Sequence, residues 1–157
     1  MRRSLAAATA LVLAGALAAA APAGATIVVN RSIAGVRLND TTSRVRQTLG
    51  APASTARTRD RSGFGPELVW RYRRLTVRFA RSSGRVISVD TSRRAQRTAA
   101  DVGVGTTSVR LLEAYPKAQC DAALHSCLLE DARHGAQTIF GLNKGIVNRV
   151  GLYSVYD

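Results

Sequence analysis

The residue types best suited to metal or covalent chemistry lie close together near the C-terminus. Cys120 and Cys127 are the two cysteines of the chain, and His125 and His134 lie between and after them. Thiolates and imidazoles bind zinc, but structural zinc sites use closely spaced cysteine pairs, and this stretch has none. Two cysteines in an exported protein favour a disulfide. Because the first residues indicate export, as described below, we predict a Cys120–Cys127 disulfide and no metal site.

Motifs for catalysis are absent from the sequence. It contains no G-x-S-x-G nucleophile elbow, no H-E-x-x-H zinc motif and no Walker loop. Gly103-Val104-Gly105 lacks the third glycine and the long preceding strand of a dinucleotide site, so we interpret it as a strand-to-helix turn. We therefore predict a protein that is not an enzyme and has no cofactor. A hydrolase or small-ligand protein would require a preformed pocket with converging polar groups.

One basic and aromatic stretch is the strongest candidate for binding. Tryptophan, tyrosine and arginine are the side chains that most often anchor protein interfaces. The chain places Trp70, Arg71, Tyr72 and Arg74 within five residues, and Arg78 follows on the next predicted strand. We predict that these five residues form a partner-binding face. The alternative is that Trp70 and Tyr72 face inward as core while the arginines are solvated.

The positive charge is distributed unevenly along the chain. The formal net charge is +13 at pH 7. Residues 26–100 contain 16 arginines and four acidic residues, whereas residues 101–157 contain five basic and six acidic residues. A basic surface attracts anionic partners. We expect an acidic protein partner, with an anionic wall polymer or lipid headgroups as the alternative; export disfavours nucleic acid. We expect a monomer.

The first 25 residues have the pattern of a bacterial signal peptide. Arg2-Arg3 is followed by an apolar run from Leu5 to Ala21 and by Ala23-Gly24-Ala25, whose small residues suit a signal peptidase. We predict cleavage after Ala25, which gives a secreted or envelope-located protein with no further membrane-spanning run. An uncleaved membrane anchor is the alternative.

A pattern of strand end, polar turn, threonine and short helix occurs twice. It spans Gly35 to Gly50 and again Val102 to Pro116, with Thr41 and Thr107 in equivalent positions. A threonine hydroxyl accepts hydrogen bonds from the free N–H groups at a helix N-terminus, so both residues are predicted N-caps. The chain therefore contains two copies of one building block.

Alternating apolar and polar residues after each helix predict an antiparallel meander on one side of the helices. We predict an α+β fold of two tandem repeats, residues 26–97 and residues 98–157, with the disulfide in the second. Ala53–Gly65 has no period and is predicted to be a loop, and Thr91–Ala100 a linker between the repeats. The predicted strands are Thr26–Val29 (or an extended arm), Leu68–Tyr72, Leu75–Phe79, Arg85–Val89, Ser126–Leu129, Ala136–Phe140 and Ile146–Leu152.

The repeated unit resembles that of the secreted β-lactamase inhibitory proteins and, more broadly, the family of the small lipoprotein of the outer-membrane β-barrel assembly machine. In both families a Gly-Met-Thr turn precedes a helix that packs on an antiparallel sheet. The corresponding turns here are Asn39-Asp40-Thr41 and Gly105-Thr106-Thr107. Only the second copy has a cysteine pair, the acylated cysteine of the lipoprotein is absent, and aromatic residues make up 5% of the chain. The resemblance implies an inhibitor-like interaction module.

Overall fold

The structure is a computed structural model that describes residues 26–59 and 65–155. The predicted signal peptide, residues 1–25, lies outside the described residues, so its cleavage stays a prediction. Within the described ranges, no helix is long and apolar enough to cross a membrane.

The described chain begins with a small antiparallel sheet of three short strands. Its strands are β1 (Ile27–Val28), β2 (Ser32–Ile33) and β3 (Val36–Arg37). Ile27, Ile33 and Val36 are buried and belong to the main hydrophobic core. The backbone N–H of Asn30 donates a hydrogen bond to the hydroxyl of Thr138, 2.7 Å away. This sheet therefore fastens the first residues of the fold to a strand far along the chain.

Each of the two α-helices within residues 26–59 and 65–155 begins after a capping threonine. The helices are α1 (Thr42–Leu49) and α2 (Ser108–Ala114). Thr41 Oγ1 accepts a hydrogen bond from the Arg44 N–H at 3.2 Å, and Thr107 Oγ1 accepts one from the Arg110 N–H at 3.3 Å. Gly50 ends α1 with a φ of 79°, a backbone conformation that glycine adopts without strain. Both predicted caps are confirmed.

Eight antiparallel strands form the main sheet. They are β4 (Ser54–Thr58), β5 (Glu67–Tyr72), β6 (Leu75–Ala80), β7 (Val86–Thr91), β8 (Gln119–Asp121), β9 (Ser126–Asp131), β10 (Ala136–Asn143) and β11 (Ile146–Ser154), with a 3-10 turn at Ala132–His134. Their spatial order is β4-β5-β6-β7-β11-β10-β9-β8. The predicted α+β class is confirmed.

The core lies on one face of this sheet. Trp70, Val77, Val89 and Leu152 occupy directly paired positions on β5, β6, β7 and β11, and all four are buried. Side chains alternate between the two faces of a strand, so the residues between these four project to the opposite face. The helix residues Val45 and Leu111 belong to the same buried cluster. We call the opposite face of the sheet the open face.

The chain order places one helix and four strands of the main sheet in each half of the molecule. α1 precedes β4 to β7, and α2 precedes β8 to β11. The last strands of the two halves, β7 and β11, pair antiparallel at the centre of the sheet, from Thr91 opposite Val150 to Ser88 opposite Tyr153. That the halves are tandem copies of one unit, and that they divide at residue 97, stays a prediction.

Two segments differ from their predictions. Ala53–Gly65 was predicted to be a loop, but Ser54–Thr58 forms β4 and pairs with β5 along its whole length. This strand lies at the edge of the sheet and is not apolar on either face, so it has no hydrophobic period. The predicted linker Thr91–Ala100 is also more ordered than expected, since Gln96 and Thr98 are buried.

Candidate functional site

A concave cleft of about 880 Å³ crosses the open face from β4 to β11. Five arginines line it together with two carboxylic acids, Glu67 and Asp90, among the residues that the structure describes. We call this surface the arginine cleft. Its arginines are Arg57, Arg59, Arg71, Arg78 and Arg149.

Strand register explains why these side chains converge. Arg71, Thr76, Asp90 and Gly151 are directly paired in one row across β5, β6, β7 and β11. Directly paired residues project to the same face of a sheet, and each is within reach of residues two positions along the neighbouring strand. The row therefore places Arg71 and Asp90 on the same side of the sheet, away from the helices.

Asp90 is the centre of a polar network on the cleft floor. One of its oxygens, Oδ2, accepts a hydrogen bond from Arg78 Nη1 at 2.8 Å. The other, Oδ1, accepts a hydrogen bond from the Tyr153 hydroxyl and lies 3.9 Å from Arg149 Nε. Arg78 Nε also lies 3.6 Å from Glu67 Oε2. Because Arg78 contacts both carboxylates, it holds two largely buried negative charges in place.

Gly151 allows Tyr153 to take part in this network. A Cβ atom at position 151 would overlap the ring and hydroxyl of Tyr153. The phenol therefore lies back over Gly151 and reaches Asp90, which is paired opposite Gly151. Burial, and then the neighbouring negative charge of Asp90 and its hydrogen bond, raise the pKa of Tyr153 above its ordinary value. The phenol stays protonated and acts as a hydrogen-bond donor.

Three cleft arginines differ from Arg78 and Arg149 in having no acidic partner in the described part of the chain. Arg57, Arg59 and Arg71 are exposed, and none of them forms an ion pair with a residue in 26–59 or 65–155. As far as the described residues show, their guanidinium groups are open to an incoming anion. The cleft therefore has a neutralised floor and a positively charged β4–β5 side.

The structure separates the five residues of the predicted partner-binding face. Trp70 is 7% exposed, with its ring 4.9 Å from that of Phe79 and with Arg46 on the helix side 5.6 Å from the ring centre. Tyr72 lies on the same face as Trp70 and donates a hydrogen bond to the Gly50 carbonyl at 3.2 Å. Burial raises the pKa of Tyr72, and nearby Arg46 offsets part of that rise. Trp70 and Tyr72 therefore belong to the helix side of the sheet.

The remaining predicted residues occupy two different surfaces. Arg71 and Arg78 line the arginine cleft, whereas Arg74 lies in the turn between β5 and β6. A shallow groove of about 270 Å³ at this end of the sheet is lined by four arginines and Ala95. We call these four the turn arginines: Arg73, Arg74, Arg93 and Arg94.

The predicted disulfide is confirmed. Cys120 on β8 and Cys127 on β9 are directly paired, and their sulfurs are 2.02 Å apart. Neither sulfur is a thiolate in this state, which is the form that binds metal. His134 lies on the 3-10 turn, where its Nδ1 is 2.7 Å from Asp131 Oδ2, and this hydrogen bond lowers the pKa of Asp131.

Several cleft residues were not predicted. Asp90, Arg149 and Tyr153 come together only because β7 pairs with β11, and Asp90 and Tyr153 are 63 residues apart in the chain. Strand alternation could have identified Tyr153 and Arg149 as residues of one face, but not their contact with Asp90. Pairing between distant strands is not encoded in local periodicity.

No family model matches the sequence, and no curated protein matches it. Among solved structures, the fold is similar to an extracellular protein containing an SCP domain from Bacillus anthracis str. Ames, with a TM-score of 0.55 and 6% identity. The match covers 74% of this chain and 44% of that protein, so this chain spans less than half of its length. A DUF4309 family protein from Bacillus subtilis subsp. subtilis str. 168 matches with a TM-score of 0.45 and 12% identity, over 76% of this chain and 82% of that one. At 6% identity the first likeness shows a shared fold alone.

Proposed function

We propose that this chain is an exported, non-enzymatic module that binds an acidic protein through the arginine cleft. The observation that carries the proposal is the row of exposed, unpaired arginines beside a fixed polar floor. Arg59 and Arg71 have no ion pair among the described residues, whereas Arg78 is held by Glu67 and Asp90. An acidic segment of a partner would supply the missing negative charges.

The chemistry of the cleft favours a protein segment over a small substrate. Small-molecule pockets are mainly apolar and enclose most of their ligand. This cleft is lined mostly by charged and polar side chains and extends across five strands. Its carboxylates are engaged with Arg78, so they stabilise the floor and are poorly placed to act as acid and base. A broad, charged and concave sheet face suits docking of a protein surface.

Charge would act on the rate of association as well as on affinity. Complementary fields steer partners together, and the effect weakens as salt shortens the Debye length to about 8 Å at physiological ionic strength. We expect capture of the partner to be stronger at low salt. Among acidic partners, the sequence resemblance suggests β-lactamases, for which binding can be assayed as inhibition of hydrolysis.

The test compares two double variants in capture of proteins from the culture medium. Arg59→Ser with Arg71→Ser removes two of the three unpaired cleft charges without disturbing the floor. The matched control, Arg31→Ser with Arg44→Ser, removes two exposed charges that line neither groove. We expect the cleft variant to lose at least about tenfold in affinity for an acidic partner, because each rim charge affects association. Equal capture by the two variants would refute the proposal.

Arg78 is unsuitable for this experiment. Its guanidinium contacts Glu67 and Asp90, whose side chains are 6% and 12% exposed. Removing one partner of a buried charge pair leaves the other charge uncompensated and destabilises the fold. Loss of binding by an Arg78 variant would therefore not distinguish a binding role from unfolding.

A further inference from the structure

We infer that the turn arginines form a second anion-binding site, separate from the arginine cleft, whose ligand is a phosphate group. No residue lines both grooves. The turn arginines come from two chain segments, the turn between β5 and β6 and the residues directly after β7. The site is therefore created by the fold and is not one run of charge in the sequence.

Backbone hydrogen bonds fix the two segments against each other. The Arg74 carbonyl accepts from the Ser92 N–H at 3.0 Å and from the Thr91 hydroxyl at 3.3 Å. The Arg73 carbonyl accepts from Arg93 Nε at 2.7 Å. Arg93 is thus held by its inner nitrogen, which leaves its two terminal nitrogens available to a ligand. The groove has a defined backbone frame before any anion binds.

The turn arginines have no compensating negative charge among the residues that the structure describes. None of the four forms an ion pair within residues 26–59 and 65–155, although other arginines in these ranges do. Like charges held close together repel one another, and an anion between them removes that repulsion. Binding of an anion at this site is therefore favourable, and no described residue supplies that anion.

Phosphate fits this site better than carboxylate does. A guanidinium carries five N–H donors in a planar fork that binds phosphate through two parallel hydrogen bonds. A phosphate monoester carries up to about two negative charges and three acceptor oxygens, whereas a carboxylate carries one charge and two oxygens. Four arginines that line one groove of about 270 Å³ match the larger charge on a compact group.

A phosphate group could come from a phospholipid headgroup or from a soluble or polymeric phosphate. The experiment uses the exported form of the protein and three probes. These are vesicles of phosphatidylcholine with and without phosphatidic acid, whose headgroup is a phosphate monoester, sodium tripolyphosphate, and poly-glutamate as the carboxylate comparison. Vesicle binding is measured by co-sedimentation, and binding of the soluble anions by calorimetry.

The site variant replaces all four turn arginines, and its control removes the same charge elsewhere. Arg74 has a φ of 56°, so asparagine, which tolerates this conformation, replaces it, and serine replaces the other three. A second variant keeps Arg93, whose Nε bond could support the fold. The control replaces four exposed arginines outside both grooves with serine: Arg31, Arg37, Arg44 and Arg133.

The expected result is selective loss of phosphate binding. Each basic residue near an anionic membrane increases the partitioning of a protein onto that membrane by about fivefold. The site variant should therefore bind anionic vesicles at least about a hundredfold more weakly than the wild type. The variant that keeps Arg93 should lose most of this binding, the control should lose less, and Arg59→Ser with Arg71→Ser should retain it. Phosphate binding by the turn arginines is expected whether or not the arginine cleft binds an acidic protein.

The outcomes separate the two phosphate sources and the competing explanations. Binding to phosphatidic acid vesicles that the site variant loses supports a headgroup ligand. Binding to tripolyphosphate alone, lost by the same variant, supports a soluble or polymeric phosphate. The inference is overturned if poly-glutamate binds at the site as tightly as tripolyphosphate, if the site and control variants lose binding equally, or if no phosphate probe binds.

Discussion

The absence of a Cβ atom at Gly151 determines where the Tyr153 ring lies. The phenol lies over Gly151 because that residue has no side chain, and it donates a hydrogen bond to Asp90. Asp90 in turn fixes Arg78 on the cleft floor. At the scale of residues, the arrangement of the arginine cleft depends on a glycine that makes no polar contact of its own.

The raised pKa of Tyr153 gives this network a measurable pH dependence. The unfolded chain loses the phenol proton near the ordinary pKa of 10, whereas the folded protein retains it to higher pH. The unfolded state therefore binds fewer protons above about pH 10, and the free energy of unfolding falls as pH rises. Below about pH 10 the stabilisation is fully present.

We predict that Tyr153→Phe removes this part of the alkaline loss of stability. At neutral pH the variant should be less stable by about 1–3 kcal/mol, because a buried hydrogen bond to a charged acceptor is lost. Its free energy of unfolding in urea should then fall less steeply than that of the wild type above about pH 10. Gly151→Ala should have a similar effect, since it displaces the same ring. The prediction would be contradicted if the free energy of unfolding fell equally steeply with pH in Tyr153→Phe and the wild type above about pH 10.

At the scale of elements, the sequence predicted what hydrophobic periodicity encodes. Helices beginning after Thr41 and Thr107 and the strands from Leu75 and Ala136 were expected, because each has a cap or an apolar alternation. The edge strands Ser54–Thr58 and Gln119–Asp121 were not predicted. They are held in place by backbone pairing with a neighbouring strand and have no apolar face that the sequence could reveal.

The same limit explains why the sequence left the direction of Trp70 and Tyr72 open. Alternation correctly separated Trp70 from Arg71, but it did not say which set faced the helices. The pairing of Trp70 with Val77, and of Val77 with Val89, decides this, because all three belong to the buried face. Of the candidate site, Arg71 and Arg78 could therefore be predicted as neighbours on one face, while the tryptophan could not be assigned.

The disulfide is predicted to hold the short strand β8 at the edge of the sheet. All three residues of β8 are exposed and pair only with β9, so packing contributes little to its position. Replacing Cys120 and Cys127 by serine should cost about 2–3 kcal/mol of stability on the chain-entropy estimate for this short loop. Amide exchange should then become fast in β8 while β5 to β7 stay protected. Unchanged protection of β8 would contradict this role.

At the scale of the whole molecule, the two predicted repeats share one interior. β7 and β11 pair at the centre of the sheet, and residues of both halves belong to one buried cluster. The hydrogen bond from Asn30 to Thr138 adds a second connection between the halves. We therefore expect residues 26–97 and residues 98–157 to unfold together and not as independent domains.

A substitution at the contact between the halves tests this cooperativity. Leu152 on β11 is 1% exposed and is paired with Val89 on β7. Leu152→Ala should lower the free energy of unfolding by about 2–5 kcal/mol, the usual cost of a buried leucine cavity. The matched control is Leu124→Ala, because Leu124 is 73% exposed and its loss should change stability by less than about 0.5 kcal/mol.

The decisive measurement is the response of the first half to this change in the second. Trp70 is the single tryptophan of the chain and is buried in the first half, so its fluorescence follows unfolding of that half. In Leu152→Ala, the midpoint of the Trp70 fluorescence transition should shift to a lower urea concentration. The urea concentration at which β10 loses amide protection should shift by the same amount. A Trp70 transition that remains at its wild-type midpoint would show that the halves are separate folding units, despite the shared sheet.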